Sequence, residues 1–302
     1  MTIRIQPLPT IGAEVIGLDL DQPVDGDTAA RLREEWYKAG VLVFRGIGTS
    51  AEGLLDLSRV FGELEPHPIE HIRMADYPEL IELTNRDGPK GPVYAYDGVP
   101  TYGRIPWHTD LAFQPVPNAG ALLNMVHRAE QGGMTAWLDT TKAYASLSDD
   151  LKQRLEGLEA RFEFCADLSR MRFRNPGGTR VGQSAIKFPD YPALARPIVT
   201  RHPHTGDVVM NVCPLNIRGI VGMDQDASDA LINELIDAVV QPQFVYEHDW
   251  ATNDIVLWDN YRMMHAASGH PLDVLRIARR STLRGGATMG RVLAAETAGA
   301  AA

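Results

Sequence analysis

The pattern of apolar and polar positions predicts short strands interrupted by a few amphipathic helices. Asp25 or Asp27 is placed to cap a first helix, which carries Leu32 and Trp36 on one face. Gly40 follows where a helix commonly ends in the left-handed conformation. On the same grounds we predict further helices over residues 51–60, from Ser148 to about Leu158, and from Asp226 or Ser228 to about Val239.

Short apolar runs separated by Pro, Gly, Asn and Asp turns make up most of the remaining chain, and they favour a sandwich or barrel. The predicted strands lie at residues 3–5, 13–18, 41–44, 121–123, 135–138, 198–202, 208–212, 244–246, 255–258 and 280–283. We expect one β-rich domain over residues 1–291 with peripheral helices. Residues 87–106 and 166–188 are glycine- and proline-containing stretches that we expect to be lid loops, and residues 292–302 a flexible tail.

Composition narrows the class of protein. The 302 residues are 44% hydrophobic and 23% charged, the balance of a globular protein with a large core. The net charge of -10, without a Lys/Arg-rich run, argues against nucleic acid as a partner. No apolar run approaches the ~20 residues of a membrane span, and the first residues offer no signal-peptide core, so a cytoplasmic protein without a membrane partner is expected. The sequence leaves open whether the chain forms a homo-oligomer.

Trp107-His108-Thr109-Asp110 is the sharpest local motif. On a strand, residues i and i+2 share a face, so His108 and Asp110 would project side by side. An imidazole and a carboxylate on one rigid element are two potential ligands of a divalent metal. A surface pair is the alternative, because His-x-Asp also occurs by chance.

A third ligand must come from elsewhere in the chain. The other histidines are His67, His71, His127, His202, His204, His248, His265 and His270. Among them His265 follows the strand-like run over residues 255–258 and a turn, which favours a position at the mouth of a barrel. Two histidines and one carboxylate form the facial triad that binds iron(II) in oxygenases and leaves positions open.

Arg276 and Arg280 lie in a segment of β character after His265. By strand parity they share a face, about 13 Å apart, whereas Arg279 points away. The planar guanidinium group binds carboxylates bidentately and stays charged when desolvated. The alternative is that these arginines are solvated surface residues. That interpretation fits Arg279 better than Arg276 and Arg280.

With these motifs the chain resembles the taurine/2,4-dichlorophenoxyacetate dioxygenases, Fe(II)/2-oxoglutarate-dependent oxygenases whose fold is a double-stranded β-helix, or jelly roll. The resemblance runs from Gly12 to about Thr282, and the His-x-Asp motif, the distal histidine and the arginine eleven residues later recur with the family spacing. Its segments are 12–20, 43–45, 61–64, 107–110, 132–137, 201–203, 211, 258–260 and 265–266.

The resemblance implies a role for each of these residues. His108, Asp110 and His265 would bind iron(II), and Arg276, with the hydroxyl group of Thr135, would bind the distal carboxylate of 2-oxoglutarate. O2 would be the second co-substrate. Halogenating relatives have a small residue in place of the triad carboxylate. Because the carboxylate is present here, the resemblance implies C–H oxidation.

The expected substrate is a small anionic organic acid, a carboxylate or sulfonate. By resemblance Arg280 and His67 would contact it, and Arg104 is a further candidate because it lies just before the metal motif. An apolar wall is predicted from Tyr102, Trp107 and Phe113. Two other functions stay open: a biosynthetic desaturase or cyclase of an amino-acid-derived substrate with the same cofactors, and a non-oxygenase metal-binding β-barrel, which would not need the two arginines and Thr135.

Overall fold

The computed structural model describes residues 2–182 and 189–294 of the chain. The five α-helices in these residues are α1 Gly26–Ala39, α2 Ala51–Phe61, α3 Thr140–Ser146, α4 Asp149–Leu155 and α5 Gln225–Val239. The strands are β1 Arg4–Pro7, β2 Ala13–Ile16, β3 Val41–Phe44, β4 Leu80–Thr84, β5 Val93–Tyr96, β6 Val99–His108, β7 Gly120–His127, β8 Thr135–Asp139, β9 Glu159–Phe162, β10 Thr179–Val181, β11 Leu194–Pro197, β12 Val199–Arg201, β13 Val208–Met210, β14 Ile217–Ile220, β15 Val245–His248, β16 Ile255–Asp259, β17 Met263–Pro271, β18 Ile277–Leu283 and β19 Arg291–Val292.

Two large sheets form the jelly-roll core that the sequence analysis expects. The seven-stranded sheet has the order β1-β2-β3-β16-β7-β18-β4, and the six-stranded sheet the order β10-β5-β6-β17-β8-β15. Val43 and Val256 from the first sheet and Trp137 and Met263 from the second belong to one buried apolar cluster. The inner faces of the two sheets therefore pack against each other, and the fold prediction is confirmed.

Helices α1 and α2 cover the outer face of the seven-stranded sheet. The side chain of Asp25 accepts a hydrogen bond at the start of α1, and Gly40 ends that helix with φ 73°, so both helix-end predictions are confirmed. Leu32 and Trp36 are almost fully buried under the helix, as predicted. Each fully buried apolar side chain of this size contributes about 1.5–3 kcal/mol.

A second apolar cluster lies between the six-stranded sheet, helices α3, α4 and α5, and a four-stranded sheet of order β14-β9-β11-β19. Ser148 caps α4, as predicted, while α5 begins one residue before the predicted region, with Asp224 as its cap. The two cysteines are free and buried. Among the described residues, no helix has both the length and the apolar character needed to cross a membrane.

The segments predicted as lid loops and tail contain regular structure. Residues 93–108 form the antiparallel pair β5–β6 rather than a loop, and residues 179–181 add β10 to its edge. Val292, at the start of the predicted tail, pairs with Leu194 in the four-stranded sheet. The sequence shows no apolar alternation at these edge strands, because β10 and β19 have no buried residue and β6 has only His108. Residues 183–188 of the second predicted lid and residues 295–302 of the tail lie outside the described part of the chain.

Candidate metal centre

His108 and His265 lie opposite each other on neighbouring antiparallel strands. His108 is the last residue of β6, and it pairs in register with His265 near the start of β17. Their ring centroids are 4.0 Å apart and both side chains are buried. His265 therefore lies within β17 and not in the turn that follows β16. It still faces His108, as the triad requires.

Asp110 follows β6 instead of lying on it, which corrects the sequence argument. It occupies a turn, and the next residue, Leu111, has a positive φ of 50°. The Asp110 carboxylate still reaches both histidines: its oxygens lie 3.8 Å from Nε2 of His108 and 3.7 Å from Nε2 of His265.

The three side chains fit a divalent transition metal. One ligand atom from each of His108, Asp110 and His265 lies within 4.8 Å of the others. Nδ1 of His108 donates to the carbonyl oxygen of Pro106 at 2.8 Å, which leaves the Nε2 lone pair for a metal. Nδ1 of His265 is buried and has no hydrogen-bond partner in the part of the chain that the structure describes. Two imidazoles and one carboxylate are the donor set of the facial triad.

Burial keeps both histidines neutral, as metal ligands must be. Burial lowers the pKa of His108, although Asp110 acts against it. Burial together with the neighbouring His108 lowers the pKa of His265 well below its ordinary value. Both rings therefore offer an unprotonated nitrogen near pH 7.

Arg280 faces the triad and pairs with its carboxylate. Its two terminal nitrogens contact the two oxygens of Asp110 at 3.2 and 2.8 Å, and its guanidinium group lies 5.4 Å from the Trp258 ring. Burial raises the pKa of a carboxyl group, but Arg280 and His265 outweigh this effect and lower the pKa of Asp110 to about 2. The ionised carboxylate and the guanidinium group thus form a buried bidentate pair.

Arg279 points to the opposite side of the sheet, as the parity argument predicts. It lies 3.8 Å from Glu82 on the neighbouring strand β4. The next residue on that outer face, Ser281, forms a hydrogen bond with Ser58 of α2. Arg280, on the inner face, therefore has surroundings different from those of its sequence neighbour.

Arg276 precedes β18, and its side chain forms no ion pair with an acidic side chain among the described residues. Burial lowers its pKa to about 10, so the group is still charged near pH 7. Its Nε atom is buried without a hydrogen-bond partner. Asn85 fixes the backbone here: it accepts from the Arg276 amide at 3.0 Å and donates to the carbonyl oxygens of Leu272 and Val274. A buried guanidinium group with spare donors suits a carboxylate ligand.

Thr135 begins β8, and the segment before it approaches Arg276. A Cβ atom on Gly133 would lie 3.3 Å from Cδ of Arg276, so the absence of a side chain there leaves room for the arginine. The Thr135 hydroxyl accepts a hydrogen bond from the indole of Trp250 at 3.1 Å and keeps its own hydrogen to donate. Thr135 and Arg276 thus lie at the same edge of the jelly roll.

His67 lines a cavity of about 130 Å3 together with His108 and Asp110. Its Nδ1 accepts from the Ile69 amide at 3.1 Å, so a neutral ring carries its proton on Nε2. Burial, followed by the charge of Arg280, lowers the pKa of His67 to about 4.

Aromatic rings form the outer wall of this cavity. Phe113, Phe164 and Tyr191 lie 4.5–5.2 Å apart between ring centroids, and all three line the cavity. A larger cavity of about 830 Å3 shares Phe164 and Tyr191 as walls. Of the three predicted wall residues, only Phe113 lines the triad cavity; Trp107 lines a different one.

Arg104 is not brought to the triad, which corrects its expected position. His265 pairs with His108 and Ala267 with Ile105, so β6 contains one extra residue between these pairs. The bulge reverses the parity, and Arg104 points to the face opposite His108. There its guanidinium group lies 4.2 Å from the centre of the Tyr96 ring.

Sequence reasoning missed two asparagines that orient the site. Asn260 hydrogen-bonds the backbone of Asp110, and Asn85 fixes the backbone before β18. Asn260 belonged to a segment that carried the family resemblance, although no role followed from it. Asn85 gave no signal, because its partners lie 187 to 191 positions away in the chain.

Comparisons with known proteins agree with this geometry. The family model described as "Taurine catabolism dioxygenase TauD, TfdA family" matches residues 4–284. The (S)-phenoxypropionate/alpha-ketoglutarate-dioxygenase of Sphingobium herbicidovorans is 32% identical, with 93% of this chain and 94% of that protein covered. The pentalenolactone F synthase of Streptomyces avermitilis is 29% identical, with 93% of each covered. A crystal structure of a taurine dioxygenase from Burkholderia xenovorans has a TM-score of 0.74 at 26% identity, covering 95% of this chain and 92% of that one.

Proposed function

The chain belongs to the TauD/TfdA family of dioxygenases as an Fe(II)- and 2-oxoglutarate-dependent enzyme, and we propose that it oxidises a small anionic organic acid, most simply by hydroxylation. 2-Oxoglutarate and O2 are the co-substrates, and succinate and CO2 are formed from 2-oxoglutarate. Iron(II), when bound, supplies the oxygen chemistry that protein side chains lack. The observation that carries the proposal is the convergence of two neutral imidazoles, one carboxylate and an inward-facing arginine, of which His108 and Asp110 line a cavity.

In this proposal His108, Asp110 and His265 hold the metal. The Pro106 carbonyl oxygen fixes the tautomer of His108, so that Nε2 is presented without a proton. Burial keeps the histidines unprotonated, and Arg280 keeps Asp110 ionised. The side chains are thus prepared for a cation before it arrives, because no proton has to leave them near pH 7.

Arg276 and Thr135 bind the distal carboxylate of 2-oxoglutarate. The Nε–H of Arg276 is buried without a hydrogen-bond partner among the described residues, and the Thr135 hydroxyl has a hydrogen to donate. A carboxylate placed between them gains charge-assisted hydrogen bonds in a region of low dielectric constant. Asn85 keeps this arginine in place through the backbone of residue 276.

Arg280 binds the acid group of the substrate. In the protein alone its charge is balanced by Asp110 at 2.8 Å. If Asp110 held a divalent cation, its negative charge would be taken up there, Arg280 would lack a counter-charge, and an anionic substrate would restore the balance. His67 is neutral above about pH 4 and adds a hydrogen-bond donor on the cavity that His108 and Asp110 line. Holding the acid group at one point orients one C–H bond towards the metal.

The aromatic wall of Phe113, Phe164 and Tyr191 favours acids with an apolar body. Such rings exclude water from the cavity and pack against an aryl or alkyl group. A relative that acts on phenoxypropionate, by its name, supports an aryloxy acid as the first compound to test.

The test is a panel of aryloxy carboxylates, alkyl carboxylates and sulfonates, assayed for substrate-dependent succinate formation with Fe(II), 2-oxoglutarate and O2. Each acid is paired with its neutral methyl ester or amide. We expect succinate formation with at least one acid and little with its neutral partner. Neutral partners that turn over as well as the acids would contradict the role of Arg280.

A biosynthetic oxidation is the second candidate, because a pentalenolactone F synthase is 29% identical over 93% of the chain. Desaturation or cyclisation needs the same triad and the same 2-oxoglutarate site. Mass analysis of the products separates the two: hydroxylation adds one oxygen atom to the substrate, whereas desaturation removes two hydrogen atoms.

A further inference from the structure

Asp110 lies where the sheet no longer fixes the backbone. Strand β6 ends two residues earlier, at His108, and Asp110 stands in the following turn. Leu111 adopts a left-handed conformation, φ 50°, which costs a residue with a side chain about 1–2 kcal/mol. Such a conformation persists only where the surroundings determine it. Something outside the sheet must therefore hold the Asp110 backbone.

The side chain of Asn260 takes the place of a strand partner. Its Oδ1 accepts from the Asp110 amide at 2.9 Å, and its Nδ2 donates to the Asp110 carbonyl oxygen at 2.9 Å. The two bonds imitate the reciprocal pair that a residue on a neighbouring strand would make. The orientation of the amide is determined, because Asp110 presents one donor and one acceptor and only one orientation matches both.

Asn260 is itself held rigidly. It is 1% exposed, and its Nδ2 also donates to Asn118, at 3.0 Å to the backbone oxygen and 2.9 Å to the side-chain oxygen. The preceding residue, Asp259, is buried and bonded to His202 at 2.8 Å. Two residues further, Arg262 forms a bidentate pair with the buried Asp139. The turn between β16 and β17 is therefore fixed on both sides of Asn260.

The same turn leads directly into the strand that carries the third ligand. His265 follows Asn260 by five residues and belongs to β17, whose register with β6 sets its distance from His108. Asn260, which belongs to this turn and is hydrogen-bonded to Asp110, thus connects the His-x-Asp segment to His265.

We propose that Asn260 is a positioning residue: it does not touch the metal, but it fixes Asp110 relative to His265 and thereby sets the affinity of the triad for a divalent cation. The inference rests on the proposed metal site. Groups that orient metal ligands typically change affinity by roughly 10- to 100-fold when they are removed. The second contact of Asp110, its bidentate pair with Arg280, fixes the carboxylate but leaves the backbone free to shift.

The experiment measures Mn(II) binding by calorimetry, and the electron paramagnetic resonance spectrum of the bound ion, for the wild-type chain and variants. Asn260→Ala removes both bonds to Asp110, while Asn260→Asp keeps the size and the acceptor but loses the donor. Asn124→Ala is the matched control: this asparagine is also 1% exposed and donates one hydrogen bond to a backbone oxygen, of Asp254. The melting temperature without metal is measured for each variant.

We expect Asn260→Ala to weaken Mn(II) binding by roughly 10- to 100-fold and to change the resonance spectrum. Asn260→Asp should weaken it as well, and Asn124→Ala should lower the melting temperature while leaving Mn(II) affinity within about threefold. Wild-type affinity in both Asn260 variants would overturn the proposal. Loss of folding in both would make Asn260 a purely structural residue and would overturn it too.

The failure of this inference can be told apart from failure of the proposed function. If wild-type protein does not bind Mn(II), or if His108→Ala binds it equally well, the triad itself is wrong. If the wild type binds Mn(II), His108→Ala does not, and Asn260→Ala matches the wild type, only the positioning role is wrong.

Discussion

Replacement of Arg276 by glutamine tests the 2-oxoglutarate site most sharply. The guanidinium group has a pKa of about 10, so the wild-type group is charged near pH 7 and available to a carboxylate. Its Nε–H has no hydrogen-bond partner in residues 2–182 and 189–294, so the ligand would supply the missing acceptor. Leaving a desolvated carboxylate unpaired costs about 2–5 kcal/mol, which corresponds to roughly 30- to 5,000-fold in affinity at 1.36 kcal/mol per tenfold.

The assay is the dissociation constant of 2-oxoglutarate, measured anaerobically with Mn(II), together with its apparent KM in the succinate assay. Arg279→Gln is the matched control, because that arginine belongs to the same segment but faces Glu82 on the outer side of the sheet. We expect the control to bind 2-oxoglutarate like the wild type. An Arg276→Gln enzyme with unchanged 2-oxoglutarate dependence, or a control that loses as much affinity, would refute the reasoning.

Further predictions concern charge at the cavity and in the core. Arg280→Gln should raise the apparent KM of an acid substrate roughly 10- to 100-fold, because it removes a hydrogen bond of about 1.5–3 kcal/mol to a charged group. Replacement of the exposed Arg284 by glutamine should leave this KM unchanged, and equal effects of the two replacements would contradict the substrate role of Arg280. In the unfolded chain His67 binds a proton below about pH 6.5, but in the folded protein its pKa is about 4. The free energy of unfolding should therefore fall as the pH drops from about 6.5 to about 4, and it should fall less steeply in His67→Gln. Asp139→Ala should cost about 3–5 kcal/mol in urea unfolding, because it leaves the Arg262 charge buried without its partner; a loss below about 1 kcal/mol would contradict this.

The sequence predicted those parts of the site that depend on residue identity and strand parity. Arg279 and Arg280 point to opposite faces, as alternation along a regular strand requires. Arg104 is a substrate candidate in the sequence only because it lies just before the metal motif, and nothing in Ile105-Pro106-Trp107 indicates the bulge in β6 that turns it to the other face. Parity is therefore reliable only where the register is continuous.

Contacts between distant segments could not be predicted from one sequence. The bond between Asn260 and Asp110 joins residues 150 positions apart, and either asparagine or aspartate alone looks like a turn residue. The apolar alternation of the β5–β6 hairpin is weak, because β6 carries two prolines and both strands are only partly buried, and the sequence therefore predicts a loop there. Continuous buried runs such as Val41–Phe44 can be predicted, because burial on both faces requires apolar residues at every position.

The central claim is that His108, Asp110 and His265 form one iron site, and anaerobic Fe(II) titration tests it most directly. The wild-type chain should bind one Fe(II), while His108→Ala and His265→Ala should bind none and keep the circular dichroism spectrum of the wild type. Retention of stoichiometric Fe(II) binding by either folded variant would contradict the account.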